Sequence, residues 1–69
     1  MKVSNRRLVD VPAPLREFVI ERIEVLGPAD AAKELGCSRH TAVTVAAGLG
    51  VMRATLALLN EAFLAAKAA

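Results

Sequence analysis

The sequence contains no tryptophan and no tyrosine, and phenylalanine is its only large aromatic residue, present twice. Hydrophobic residues nevertheless make up 55% of the chain, so its apolar mass is mainly alanine, valine and leucine. Such residues favour closely packed helices over a core built on large rings, and no strand pattern competes. A chain of 69 residues is near the size at which one core barely suffices, so we expect one all-α domain that dimerises.

Cysteine and histidine each occur once, as Cys37 and His40. One cysteine cannot form an internal disulfide, and two candidate ligands fall short of the roughly four that a structural zinc site needs. The sequence also has no carboxylate pair, phosphate-binding loop or serine triad. We therefore expect no metal, no cofactor, no small-molecule ligand and no enzymatic activity, with Cys37 serving as a small apolar residue in a turn.

Long uninterrupted apolar segments are missing as well. Arg53 breaks the apolar run that follows His40, and Gly48 and Gly50 lie inside it, so no stretch approaches the ~20 residues of a membrane-spanning helix. No charged segment followed by an apolar one opens the chain. With a single cysteine, these features predict a reducing, cytoplasmic location and no membrane partner.

Charge is only mildly positive, with nine Lys and Arg against seven Asp and Glu and a net charge of +2. Residues 1–13 have no helical period, contain Lys2, Arg6 and Arg7, and precede Pro14. They are interpreted as an irregular basic arm ahead of a domain spanning residues 14–69. The arm is either a solvated tail or a segment in which Arg6 and Arg7 contact DNA phosphates or a minor groove.

Two short helices separated by a sharp turn dominate the middle of the chain. Pro28 suits the first position of a helix over residues 28–35, and Gly36 permits the left-handed backbone that ends it. Ser38 can cap a second helix over residues 38–47, whose inward residues are expected to be Ala42, Val45 and Leu49. This spacing predicts a helix-turn-helix.

Helices over residues 14–26 and 52–66 are predicted to complete a bundle of about four helices. The first has an apolar stripe from Leu15 to Leu26, interrupted by Arg22, which must reach the domain edge or a carboxylate; we favour the edge. The loop between the third and fourth helices contains Gly48 and Gly50, both expected at positive φ. In the last helix Met52, Leu56, Leu59 and Phe63 are expected in the core, and a neighbouring stripe is a candidate dimer interface, comprising Leu58, Ala62 and Ala65.

These residues resemble the lambda-repressor-like (Cro/Xre) helix-turn-helix family over roughly residues 15–63. The resemblance is carried by Ala32, Leu35-Gly36 and Ser38, and it continues through Gly48, Thr55-Leu56 and the apolar positions Leu59, Ala62 and Phe63. Ala42 replaces a usual isoleucine or valine, which implies a thinner core. Ala46 replaces a frequent acidic residue, which removes an internal ion pair.

The resemblance implies a bacterial or phage transcriptional regulator, repressor-like and nucleoid-associated, that binds a palindromic double-stranded operator as a homodimer. Its second motif helix is expected to enter the major groove. The expected DNA-binding residues are Ser38, Arg39, His40, Val43, Thr44 and Ala47, supported by Arg53, Lys33, Arg6 and Arg7. Arg39 is the only permanent cation on that helix, and such sparse charge keeps an alternative open. The alternative is a helical protein-protein interaction module, adaptor or antitoxin-like, that keeps the fold without specific DNA binding.

Overall fold

The computed structural model describes residues 8–68, which form four helices and a two-stranded ribbon. The helices are α1 (Ala13–Leu26), α2 (Pro28–Leu35), α3 (Arg39–Ala46) and α4 (Arg53–Ala68). The strands are β1 (Leu8–Val9), before α1, and β2 (Val51–Met52), between α3 and α4. The predicted all-α bundle with a helix-turn-helix is confirmed, and helix boundaries agree with the sequence prediction to within two residues.

The chain reverses direction after α2 and after α3 through the same backbone motif. Gly36 and Gly48 adopt φ values of +78° and +86°. Around Gly36, the Cys37 amide donates to the Ala32 carbonyl at 3.0 Å and the Gly36 amide donates to Lys33 at 3.2 Å. This is the Schellman arrangement, which satisfies helix-terminal carbonyls and favours glycine at the left-handed position. The expectation of positive φ at Gly36 is therefore confirmed.

Small and branched aliphatic side chains fill the core. In α2 and α3 the buried faces are narrow and Ala-rich, which allows the helices to approach closely. Phe18 of α1 and Phe63 of α4 pack at the margin of the core with ring centroids 5.3 Å apart. The buried residues are Leu15, Val19, Ala31, Ala32, Leu35, Ala42, Val45, Val51 and Leu59.

The two-stranded ribbon was not predicted from the sequence, and the expectation that the whole arm is irregular is wrong for Leu8 and Val9. These residues pair antiparallel with β2, Leu8 opposite Met52 and Val9 opposite Val51. Gly50 lies outside the positive-φ region, contrary to expectation. A Cβ there would stand 3.0 Å from the Val9 carbonyl oxygen, so this glycine permits close approach of β1.

Three apolar residues expected in the core are exposed instead. Leu49 follows the reversal at Gly48, so the periodicity of α3 no longer applies to it, and 60% of its surface is exposed. Met52 belongs to β2 rather than α4 and points away from the core, in contrast to its buried neighbour Val51. Leu26 is the last residue of α1, where the helix leaves the packed region.

Arg22 pairs with a carboxylate, which is the second of the two outcomes expected for it and not the favoured one. Its Nε donates to Glu34 Oε1 at 2.9 Å, and both side chains remain partly exposed. The pair links α1 to α2. Because partly exposed ion pairs are screened by water, its contribution to stability is at most about 1 kcal/mol.

Candidate nucleic-acid interface

The start of α3 is fixed by Ser38. The Ser38 hydroxyl oxygen accepts a hydrogen bond from the Thr41 amide at 3.1 Å and lies 2.9 Å from Thr41 Oγ1. This is the N-cap geometry predicted from the sequence. When Thr41 Oγ1 is the donor to Ser38, the Ser38 hydroxyl proton stays free for an external acceptor. The cap therefore holds the amino-terminal turn of α3 in a defined orientation.

Opposite faces of α3 differ in burial as the sequence predicted. Ala42 and Val45 are buried, whereas Arg39, His40, Val43 and Ala47 are exposed. We call these four residues the exposed face of α3. They follow helical spacing and combine one permanent cation, one imidazole and two small apolar groups, with 47% of the Val43 surface exposed. Thr44, expected on this face, is half-buried and lies at its edge.

A groove of about 410 Å³ lies between α3 and the ribbon. One wall is formed by His40, Thr41 and Thr44 of α3, and the other walls are formed by Leu8 and the residues around β2. Sequence reasoning missed this groove because it depends on the ribbon. The lining residues outside α3 are Leu8, Gly50, Val51, Met52 and Thr55.

The remaining expected DNA contacts are dispersed around the molecule. Lys33 is exposed on α2, next to the turn that leads to α3. Arg53 is the exposed first residue of α4, and it lines a different groove with Pro12 and Leu56. Arg6 and Arg7 lie outside the described residues.

Arg16 is a cation that the sequence prediction did not include. Three atoms of its guanidinium group, Cζ, Nε and Nη2, would each stand 3.6 Å from a Cβ built on Gly48. Arg16 therefore lies beside the turn that follows α3. Only the packing of α1 on α3 brings the two residues together, so no local sequence signal identifies the contact.

Cys37 and His40 do not form part of a larger ligand cluster within residues 8–68, where no group of three or more His, Cys, Asp or Glu side chains is arranged to hold a metal ion. Burial raises the pKa of the half-buried Cys37 thiol. The thiol therefore remains protonated near neutral pH and is a weak nucleophile.

The candidate dimer residues on α4 differ in exposure. Leu58 and Ala65 are exposed, with 50% of the Leu58 surface accessible. Ala62 is half-buried, packs against the core and lines a shallow groove with Phe18 and Leu35. Leu64, not included in the prediction, is also exposed.

None of the helices formed by residues 8–68 has the length and apolarity required to cross a membrane.

The comparison of the chain with protein-family models found no match, and the comparisons with curated proteins and with solved structures found none either.

Proposed function

We propose that this chain is a sequence-specific DNA-binding transcriptional regulator of the lambda-repressor-like type, repressor-like in action, in which α3 enters the major groove. The observation that carries the proposal is the exposed face of α3 on a helix held by the Gly36 turn and the Ser38 cap. A major groove about 12 Å wide admits one such helix. Arg39 can bond the O6 and N7 atoms of guanine, and Val43 can contact a thymine methyl.

Charge distribution gives residues 1–7 a specific part in this proposal. Residues 8–68 contain six Lys and Arg against seven Asp and Glu, a formal net charge of −1, whereas residues 1–7 contain Lys2, Arg6 and Arg7. Arg7 is joined directly to Leu8, which lines the groove beside His40 and Thr44. The covalent link from Arg7 to Leu8 thus supports the interpretation of residues 1–7 as a basic arm. In this proposal Arg6 and Arg7 contact phosphates next to α3.

We also propose that the protein binds its operator as a homodimer. Two half-sites related by a two-fold axis double the number of base and phosphate contacts, which a protomer with few cations needs. The exposed residues Leu58, Leu64 and Ala65 on α4 offer apolar surface for the second subunit. Ala62 contributes at the edge of this surface because it is half-buried against its own domain.

A selection of bound duplexes from a random library, followed by salt titration, tests the proposal. We expect a recovered consensus with two-fold symmetry, and a log K that falls linearly with log salt concentration. Recovery of no consensus, together with no salt-dependent binding to any duplex, would refute DNA binding.

A helical interaction module is the second candidate. It is favoured by the apolar character of the exposed surface, notably Val43, Leu49 and Leu58, and by the net charge of −1 on residues 8–68. An apolar protein interface depends little on salt, in contrast to phosphate binding. The same titration therefore separates the two candidates.

A further inference from the structure

The Arg16 guanidinium faces Gly48 with its flat side. Nε and Nη2 are both bonded to Cζ, so a point as far as 3.6 Å from all three atoms, where a Gly48 Cβ would lie, is above the plane of the group. The N–H groups of arginine lie in that plane. They therefore do not point at the position of that Cβ, and within residues 8–68 the Arg16 side chain makes no hydrogen bond.

No carboxylate competes for these donors within the described part of the chain. The ion pair found in residues 8–68 joins Arg22 to Glu34, and no acidic group there lies within 4.0 Å of the exposed Arg16 side chain. The Arg16 charge is therefore available to an external anion.

The position of Arg16 complements that of Arg39. Arg39 begins α3, whereas Gly48 follows the last residue of its exposed face, Ala47. The helix between them, α3, has eight residues, and at 1.5 Å each it is about 12 Å long, close to the ~12 Å width of the major groove. With Arg39 at one end of α3 directed at a base, a cation at the other end of a helix of this length can reach a phosphate that borders the groove.

We propose that Arg16 binds a DNA phosphate at the carboxyl end of α3, positioned by its packing on Gly48. This inference rests on the proposed DNA-binding function. Gly48 is required by its backbone: its φ of +86° ends α3, whereas a Cβ there would make only ordinary van der Waals contact with the guanidinium. The competing role for Arg16 is purely structural, as a cation that offsets the partial negative charge at the end of α3.

Salt titration of Arg16→Gln on a random-sequence duplex distinguishes the two roles. Gln retains part of the aliphatic stem and removes the charge. We expect the salt slope to fall by about 0.9 for each phosphate that Arg16 neutralises in the parent, with weaker binding to every sequence. Arg16→Lys should retain the slope. Arg22→Gln removes one charge that is already paired with Glu34, so it serves as the matched control and should leave the slope unchanged.

A lower melting temperature with an unchanged slope in Arg16→Gln would establish the structural role and overturn the proposal. A parent protein without salt-dependent binding would instead refute DNA binding itself. A second measurement uses the parent on the duplex recovered by selection, with single phosphates replaced by neutral methylphosphonates. One replacement should weaken the parent but cause no further loss in Arg16→Gln; equal losses in both proteins at every phosphate would also overturn the proposal.

Discussion

Arg39 is the residue on which base recognition is expected to depend most. It is exposed in the first turn of α3, and its fork of donors can make two hydrogen bonds to guanine. We expect Arg39→Ala to cost about 1 to 3 kcal/mol of binding on the preferred duplex and to flatten preference at one base pair per half-site. Binding isotherms across all single-base variants of that duplex measure both effects.

Arg53→Ala is the matched comparison, because Arg53 lies at the start of α4 and lines a separate groove. If Arg53 contacts phosphate, its removal should weaken binding to all sequences equally. A uniform loss of affinity in Arg39→Ala as well would mean that Arg39 contacts the backbone and that the proposed register of α3 in the groove is wrong.

Gly36 is required by its backbone conformation and not by lack of space. Its φ is +78°, and a Cβ built on it would meet nothing within 4 Å. Because β-branched residues tolerate positive φ poorly, we expect Gly36→Val to lower the free energy of unfolding by about 1 to 3 kcal/mol. Gly36→Asn should cost less, since asparagine enters the left-handed region more readily. Denaturant unfolding monitored by circular dichroism tests the order, and equal stability of the two variants would contradict it.

At the level of elements, the helices were predictable because their signals are local. Pro28, Gly36 and Ser38 act within one turn of their own position, so the sequence identified the start of α2, its reversal and the cap of α3. The exposed face of α3 was predicted for the same reason, since it follows from helical spacing around Ala42 and Val45.

The ribbon and the packing of Arg16 on Gly48 were not predictable because both depend on residues far apart in sequence. Strands of two residues are too short to show alternation, and their pairing is set by where α1 and α4 place them. The same limitation explains why the exposure of Leu49 and Met52 was not predicted. Leu49 is exposed because the chain changes direction at Gly48, and Met52 is exposed because it belongs to β2 and not to α4. Sequence periodicity does not reveal such a change in backbone direction.

Gly50 permits the close approach of β1 to β2, and its substitution should release the ribbon. A Cβ at this position would lie 3.0 Å from the Val9 carbonyl oxygen and 3.2 Å from the Leu8 Cβ, so the β1 backbone would have to shift by a few tenths of an ångström. We expect Gly50→Ala to cost about 1 to 3 kcal/mol. Hydrogen exchange should show faster exchange of ribbon amides than in the parent, with helical amides less affected.

Gly27→Ala is the control for that experiment. Gly27 has a φ of +87°, but a Cβ there would meet nothing within 4 Å, so its cost arises from the backbone alone. Gly27→Ala should lower the free energy of unfolding without a selective increase in the hydrogen-exchange rates of the ribbon amides. Unchanged protection of β1 and β2 in Gly50→Ala would show that the strands accommodate the methyl group.

At the level of the whole molecule, positive charge is concentrated in residues 1–7, so the role of this segment in DNA binding can be tested by removing that charge. Replacing Lys2, Arg6 and Arg7 by glutamine keeps the chain length and removes the positive charge that precedes β1. If the three side chains contact phosphate, the salt slope should fall by about 0.9 for each phosphate that they neutralise in the parent. An unchanged slope would identify this segment as a solvated tail.

Dimerisation through α4 is the remaining prediction at this scale. Residues 64–68 of α4 are exposed, so the end of the helix extends past the packed core and is accessible to a second subunit. Leu58→Glu should dissociate the dimer because it adds a charge to the proposed apolar interface, which sedimentation of the free protein measures. Ala62→Glu should also split the dimer, but Ala62 is half-buried, so that variant is expected to lower the stability of the protomer as well.

Val25→Glu controls for the added charge, since Val25 is 65% exposed on α1 and is not one of the proposed interface residues. This variant should have the same sedimentation coefficient as the parent. A parent that sediments as a monomer both free and with one protein per duplex would refute the homodimer. A Leu58→Glu variant that remains dimeric would instead show that the two-fold interface lies on another face of the domain, and that the exposed leucines of α4 serve a different partner.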